Sequence, residues 1–519
     1  MWAHLSFWNF VVIGILSLLC AIWLYSFQRI QHDINIRKIP GIKAPSLVTN
    51  PFSAVILIFK TREAQRGKYF LEHFNSFFDT RGTPESPNCV EFHMRPRSRA
   101  IFTRDPDHIK TILAGNFRDF GKGQRFHRLW RPFLGDSIFT TDGQLWHDSR
   151  ALIRPMFIKE RVSDLATFGK GAEILMTKLP PSGQTVNIMD LLYRMTLDIT
   201  TEFLLGASVD SLNNPQSEFS NAFNEVQQFQ MLLTIVGPLE VLIPRWRYNQ
   251  NIKALDRFVM PYIEQALALP QEELEKISNS DKNFTFLHSI ARYTRDPRVL
   301  RDQLIAVLIA GRDTTAATLS WAFYELSHYP DKVERLRREV IGVVGRAGSP
   351  TYEDLKSMPY LRHTINETLR LYPAVPYNMR AALADATLPG APGQPPIAVA
   401  AGDIVVYSLL SMQRRKDLYP PASETFADPA LFSPERWETW TPKPWQYVPF
   451  NGGPRICVGQ NFALTEMACC LTKILQKYDR LEYRGDWYAQ RHEPEIVGKP
   501  SYGVPVALYE ESFELGENV

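Results

Sequence analysis

Cys457 stands in the run Phe450-Asn451-Gly452-Gly453-Pro454-Arg455-Ile456-Cys457-Val458-Gly459, a Gly- and Pro-rich loop that holds one thiol in a fixed place. Gly452, Gly453 and Gly459 permit φ > 0 and let the backbone pass close to a large flat object. Arg455 sets a permanent positive charge two residues from the sulfur, and Phe450 can pack beside it. A thiolate presented in this way can be the axial ligand of a haem (heme) iron, where sulfur pushes electron density towards O–O cleavage. A lone cysteine is more often a small core residue. The agreement of Phe450, Gly453, Arg455 and Gly459 around Cys457 argues against that reading here.

A second run, Ala310-Gly311-Arg312-Asp313-Thr314-Thr315, lies inside an apolar helix expected from Arg301 to Tyr329. A mid-helix glycine costs up to about 1 kcal/mol. Consecutive threonines and a carboxylate in apolar surroundings cost more, so function overrides propensity at this point. A threonine hydroxyl can break the helical ladder locally and hold a water or dioxygen. Gly311 removes bulk so that a planar ring or O₂ can approach, and Asp313 can relay protons. Alone, the run reads also as a helix kink with a solvated aspartate.

Glu367 and Arg370 are three apart on a predicted helix and can pair on one face. Such pairs are usually solvated and worth little, but Leu361, Ile365, Leu369 and Leu371 surround this one with apolar side chains. Pro434-Glu435-Arg436-Trp437 follows. In Trp146-His147-Asp148-Ser149-Arg150, the indole N–H and the guanidinium share a face and are good donors to carboxylates. The basic run from Arg125 to Arg131, with His127 in it, reads mostly as a solvated face, and it can also dock an acidic electron donor.

Together these runs resemble the cytochrome P-450 monooxygenases over the whole chain: Phe-x-x-Gly-x-Arg-x-Cys-x-Gly, Ala/Gly-Gly-x-Asp/Glu-Thr-Thr, Glu-x-x-Arg and Pro-Glu-Arg. The resemblance implies a cytochrome P-450 fold, mainly α with a small β part. It implies a haem (iron-porphyrin) whose metal ligand is Cys457, with Phe450 and Gly311 beside it. Trp146, Arg150, Arg380 and Arg455 are assigned to the propionates, with His127 assisting. Asp313 is the family's acid and Thr314 its hydroxyl. Glu367, Arg370 and Arg436 form a structural triad. Gly135-Asp136-Ser137-Ile138-Phe139-Thr140, Arg194 to Asp198 and Asn451 to Glu466 look like the fungal alkane and fatty-acid hydroxylases. Gln413 departs from the usual His before Arg414-Arg415, residues 418–432 are longer, and Val458 and Asn461 are uncommon choices.

The elements that must position these groups follow from the rest of the chain. Its 519 residues, 45% of them hydrophobic, supply a sizeable core, and a net charge of +3 is too small to argue for nucleic acid. Five cysteines without CxxC spacing fit a reducing compartment. Phe10 to Phe27 carries no charge and as a helix spans about 27 Å, close to a bilayer core. The cations after it, Arg29, Arg37, Lys38 and Lys43, place the following residues in the cytosol. The expected organisation is a short lumenal N-terminus over residues 1–9, a transmembrane helix over 10–27, a Pro-containing linker over 28–50 and a haem-thiolate monooxygenase domain over 51–519. Helical periodicity dominates from Asp105 to Leu371, including Val186 to Leu205 and Phe219 to Ile243, the latter punctuated by Gln and Asn like a mobile substrate lid. Phe462 to Leu475 reads as a buried helix in which Cys469 and Cys470 are core residues. Strands are expected at Cys89 to Phe92, Ala100 to Phe102, Ala398 to Val399 and Asp403 to Leu409, and a surface loop over Leu383 to Pro396. The sequons at Asn283 and Asn366 are chance matches on the cytosolic side.

The expected function is a single-pass endoplasmic reticulum monooxygenase that uses O₂ to oxidise C–H bonds of a lipophilic substrate, a fatty-acid- or alkane-like or polyketide-derived chain. No Gly-x-Gly-x-x-Gly or other flavin or nicotinamide signature occurs, so electrons must come from a separate NADPH-dependent flavoprotein reductase. The alternatives are a secondary-metabolite oxidase of a non-lipid substrate, a reductase-independent haem-thiolate isomerase or dehydratase, and a non-catalytic haem carrier or sensor. The Asp313–Thr314 pair disfavours the last two.

Overall fold

A 30-residue helix, Pro297–Leu326, forms the axis of the structure. Asp296 caps it by accepting from Arg298 N at 2.8 Å, and Pro297 occupies its first position, where a missing N–H costs nothing. Its residues are buried from Gln303 to its end except at Ala310, Gly311 and Thr314. It packs along the helix Ile188–Leu205 and also meets Trp246–Ala268 and Gln460–Lys477. The computed structural model of the chain describes residues 2–48, 51–158, 165–215, 217–276 and 285–511. The sequon residue Asn283 lies outside them. Asn366 is tied into the core helix Pro359–Leu371, where its carbonyl and its side-chain oxygen each lie 3.3 Å from the Tyr447 hydroxyl.

The architecture is mainly helical with a small β part, as the periodicity predicts. Five strands form the main sheet in the order Cys89–Arg95, Ser98–Thr103, Ile404–Ser408, Tyr377–Ala382, Phe120–Gly121. Only the pairing of Ser98–Thr103 with Ile404–Ser408 is parallel, with Ala100 opposite Ile404. A three-stranded sheet joins Thr185–Asn187, Pro505–Glu510 and Tyr478–Tyr483. Three of the expected strands are found in the main sheet, two within one or two residues of their predicted bounds and Cys89 to Phe92 running three residues further, to Arg95. The fourth, Ala398 to Val399, pairs across a hairpin with Ala386–Leu388, which falls inside the expected surface loop. Tyr377–Ala382 escaped notice because Tyr-Asn-Met-Arg-Ala-Ala lacks the alternation of a half-buried strand. The expected helix Phe219 to Ile243 ends at Val236 and gives way to a 3₁₀ turn, Gly237–Leu242.

The terminal helix corrects the expected boundaries. It runs from Trp2 to Ile36, so residues 28–36 are helix and not linker. No Gly or Pro interrupts residues 28–39; Pro40 and Gly41 (φ 119°) then end the run. Asn9–Ile36 is long and apolar enough to cross a membrane, and its most apolar stretch is unburied. Its last turns dock on the hairpin strand Ile397–Val399 and the turn that leads from it into Ile404–Ser408. Ile36 packs with Ile39, Ala398 and Ala400, and His32 Nε2 lies 3.1 Å from Asp403 Oδ1. Asp403 in turn accepts from Arg99 N at 2.8 Å, Nε at 3.0 Å and Nη2 at 2.6 Å, and Arg99 Nη1 donates to Glu91 at 2.6 Å.

Candidate haem-thiolate site

The loop that presents Cys457 is held by its own backbone and by its neighbours. Cys457 N donates to Phe450 O at 2.9 Å, closing the loop around a 3₁₀ turn at Gly453–Arg455. Gly453 has φ 64°, and a Cβ there would stand 2.0 Å from Leu113 O. A Cβ on Gly452 would meet the Trp445 ring at 2.6 Å, whereas Gly459 makes only ordinary contact, with Phe157 at 3.5 Å. The glycine requirement at 452 and 453 therefore comes in part from the protein's own packing. Gly453 takes up the positive φ expected of the loop, and the packing adds a second reason for glycine at both positions. The Cys457 side chain is exposed, although protein crowds the loop around it. That crowding pushes the thiol pKa up, against the Gly459 backbone and Arg150, which pull it down. The protein alone does not make this thiol a thiolate; a bound metal ion would.

Around the loop lies an excess of positive charge. Arg455 Nη2 donates to Asp142 Oδ1 at 2.6 Å and to Thr141 O at 3.0 Å, and its guanidinium lies 4.6 Å over the Trp146 ring. Its Nε and Nη1 are buried without a partner. Burial, and then Arg380, lower its pKa to about 10 against the pull of Asp142. Arg150, on the helix Gly143–Ile153, donates from Nη1 to Ile456 O at 2.9 Å and so touches the thiol loop directly. Arg380, on the strand Tyr377–Ala382, is buried, and its Nη1 donates to Met379 O at 2.8 Å. The half-buried Lys122 completes the group: its surroundings, Arg380 and Arg455 hold its ammonium well below the usual lysine range.

Among the described residues, Asp142 is the carboxylate whose charge is felt at both Lys122 and Arg455, and it already accepts from the backbone of Lys122 and Gly123 at 2.8 and 2.7 Å. Buried guanidinium donors without partners call for a further anion. Haem propionates fit that demand, and the exposed thiol fits an axial ligand. Lys122 gives no signal in the sequence, being a single lysine between glycines. His127 does not join this group: its Nε2 lies 2.6 Å from Asp136 Oδ1, which corrects its expected place at the propionates.

On the long helix, Ala310, Gly311 and Thr314 form one partly exposed strip, spaced i, i+1 and i+4. The helix is unbroken there, contrary to the expected local break, because the Thr314 hydroxyl donates to Ala310 O at 2.6 Å within it. A Cβ on Gly311 would stand 2.9 Å from Thr200 Oγ1. Its missing side chain therefore serves the close packing against Ile188–Leu205, a reason for glycine beside the expected room for a planar ring or O₂. Asp313 is buried and ion-paired with Arg312, whose Nη1 stands 3.3 Å from its Oδ1. Burial pushes its carboxyl up, with Arg312 and then Gln227 pulling down.

Glu367, Arg370 and Arg436 come together as a fully buried group. Arg370 donates from Nε and Nη2 to the two Glu367 oxygens at 2.7 and 2.9 Å, and Arg436 Nε reaches Oε1 at 2.9 Å. The departure at Gln413 has a physical role here. Its amide donates to Leu369 O and Arg370 O at 3.1 and 3.0 Å and accepts from Val448 N at 3.1 Å. One buried side chain thus ties the triad's helix to the segment leading into the thiol loop.

The family model described as Cytochrome P450 matches residues 62–502. The cytochrome P450 monooxygenase pvhE of Talaromyces variabilis is 46% identical over 434 residues, 79% of this chain and 80% of that protein. Cytochrome P450 52A1 of Candida tropicalis is 41% identical over 74% of this chain and 73% of its own length. Cytochrome P450 52A12 of Debaryomyces hansenii is 34% identical over 92% and 93%. Among solved structures, the crystal structure of the cytochrome P450DA heme domain aligns with a TM-score of 0.73, covering 91% of this chain and 98% of that one. At 20% identity, that likeness speaks to the fold.

Proposed function

The chain belongs to the cytochrome P450 family, an oxidoreductase family with a haem-thiolate cofactor, and on that premise we propose how its own residues serve monooxygenation. Haem, when bound, supplies the activation of O₂. Cys457 would hold its iron, carried by the loop that the Phe450 carbonyl closes. Arg455, whose guanidinium lies over the Trp146 ring, would receive the propionates together with Arg380, Arg150 and Lys122. Thr314 presents its hydroxyl at the one open strip of the long helix, and Asp313 supplies protons from behind it. The single observation that carries this reading is the pairing, two residues apart, of an exposed thiol with a buried guanidinium whose Nε and Nη1 have no partner.

The substrate is a lipophilic chain of the fatty-acid, alkane or polyketide-derived class. This rests on the sequence resemblance and on a membrane setting. The terminal helix supports that setting, as do the exposed Val241, Leu242 and Trp246 after the helix Glu218–Val236, and Ile56 and Phe59 on Pro51–Arg66. Electrons come from an NADPH-dependent reductase on the same endoplasmic reticulum membrane. The test is the carbon monoxide difference spectrum of the reduced protein, followed by NADPH- and reductase-dependent turnover of a panel of fatty acids, alkanes and polyketide acids. Cys457→Ser abolishes the thiolate band. A band that survives this change removes the ligand assignment, and turnover without reductase removes the monooxygenase one.

A further inference from the structure

Arg312 occupies the variable position of its motif, yet it is one of the most enclosed cations in the molecule, 5% exposed. Its guanidinium lies between two rings, 5.4 Å from Tyr193 on Ile188–Leu205 and 5.3 Å from Phe223 on Glu218–Val236. Nη1 donates to Asn224 Oδ1 at 2.8 Å and stands 3.3 Å from Asp313 Oδ1. Its Nε is buried without a partner. A buried cation is tolerated only when paired, and here the paired anion is the neighbouring acid. Gln227, buried on Glu218–Val236, pulls the pKa of that same acid down without a well-formed hydrogen bond to its buried Oδ1. Asn224 and Gln227 are three apart and lie on one face of their helix. One turn of Glu218–Val236 therefore holds Arg312 directly, and through it the paired Asp313. The other charges felt at Asp313 come from Glu495 and Lys499. These are ion-paired to each other at 2.8 Å, so their effects oppose.

We propose that Arg312 is a positioning residue for Asp313, fixed by Asn224, so that the helix Glu218–Val236 sets where the acid stands relative to Thr314. This rests on the reading of Asp313 as proton donor. Lysine does not replace arginine here, because an ammonium lacks the flat guanidinium that lies between the Tyr193 and Phe223 rings.

The experiment compares Asn224→Ala, Arg312→Lys and Asp313→Asn as haem-loaded enzymes with reductase. It measures product formed per NADPH, hydrogen peroxide released, and the solvent deuterium isotope effect on kcat. The carbon monoxide spectrum reports cofactor loading separately. Asn224→Ala leaves both charges in place, so it keeps the test valid if Arg312→Lys fails to fold. Both variants are expected to lower product per NADPH by about threefold, a small part of the ~100-fold that a positioned acid contributes, with more peroxide and a larger isotope effect. Wild-type coupling and isotope effect in Asn224→Ala overturn the proposal if Asp313→Asn lowers coupling. If Asp313→Asn changes neither quantity, it is the proton-donor reading beneath the proposal that fails.

Discussion

Glu367 and Arg436 are 69 residues apart in the chain, and Arg436 Nε donates to Glu367 Oε1 across 2.9 Å with both side chains fully buried. Glu367 also accepts from Arg370, from Ser433 N at 2.9 Å and from Trp437 Nε1 at 3.0 Å. Burial alone would push this carboxyl up, but Arg370, and then Arg436, hold it below the usual range. Glu367→Ala leaves two guanidiniums in the core without their anion, at a cost of about 3–5 kcal/mol. The expected outcome is little haem-loaded protein, read as haem per polypeptide after purification. Normal loading in this variant would show that the segment carrying Arg436 does not depend on the triad.

Arg455 is a different case, because only part of its guanidinium is in use. Nη2 is engaged by Asp142 and Thr141, and Nε and Nη1 await an acceptor. A hydrogen bond to a charged group is worth about 1.5–3 kcal/mol. Arg455→Ala is therefore expected to speed haem loss to apomyoglobin by about tenfold to a hundredfold. The apoprotein should be little affected, since Asp142 keeps its backbone donors. An unchanged rate of haem loss would place the propionates elsewhere.

What the sequence disclosed and what it hid divide along a physical line. The thiol loop, the Thr314 helix and the Glu367–Arg370 pair lie in contiguous runs where several residues are poor choices for their local structure, so function shows through. Lys122 and Asn224 are ordinary residues in ordinary settings. Only the tertiary fold brings Lys122 to Arg380 and Arg455, and Asn224 to Arg312. Gly311 was visible as a helix-breaking choice, but its packing against Thr200 was not, because Thr200 belongs to another helix. The helix end at Ile36 was missed for a related reason. The apolar count stops at Phe27, while the polar residues after it remain good helix formers until Pro40.

Glu466 gives a pH prediction with a definite sign. It follows the thiol loop on Gln460–Lys477 and is 1% exposed, and neither of its oxygens makes a well-formed hydrogen bond. Burial raises its pKa to about 8, with the Thr315 hydroxyl nearby pulling weakly the other way. In the unfolded chain it titrates near 4.5. Between those values the folded state holds a proton that the unfolded state has released, so stability falls as pH rises from 4.5 towards 8. Glu466→Gln keeps the neutral shape and removes the titration. The variant and wild type should unfold alike at the acid end of that range. By its alkaline end the variant should be more stable by a few kcal/mol, each unit of pKa shift being worth about 1.4 kcal/mol. Parallel urea-unfolding curves across the range would mean that the carboxyl is ionised in the folded protein.

The terminal helix allows a test that separates the membrane from the joint. Among the described side chains from Asn9 to Phe27 most are exposed, Ile13 at 58% and Trp23 at 61%. The last turns make real contacts: Ile36 is 2% exposed against Ala398 and Ala400, and His32 reaches Asp403. Removing residues 1–27 should release the protein from membranes without changing the stability of the remainder. Removing residues 1–36 also takes away a buried isoleucine and a hydrogen bond to a buried carboxylate, together worth roughly 3 kcal/mol. Asp403 would keep Arg99, so the loss stays moderate and the protein should fold. The measurement is the urea midpoint of the two haem-loaded truncations in the same buffer. Equal midpoints would show that the helix end only leans on the strand Ile397–Val399 and the turn after it, and that the orientation of the catalytic part is set by the chain after Ile39.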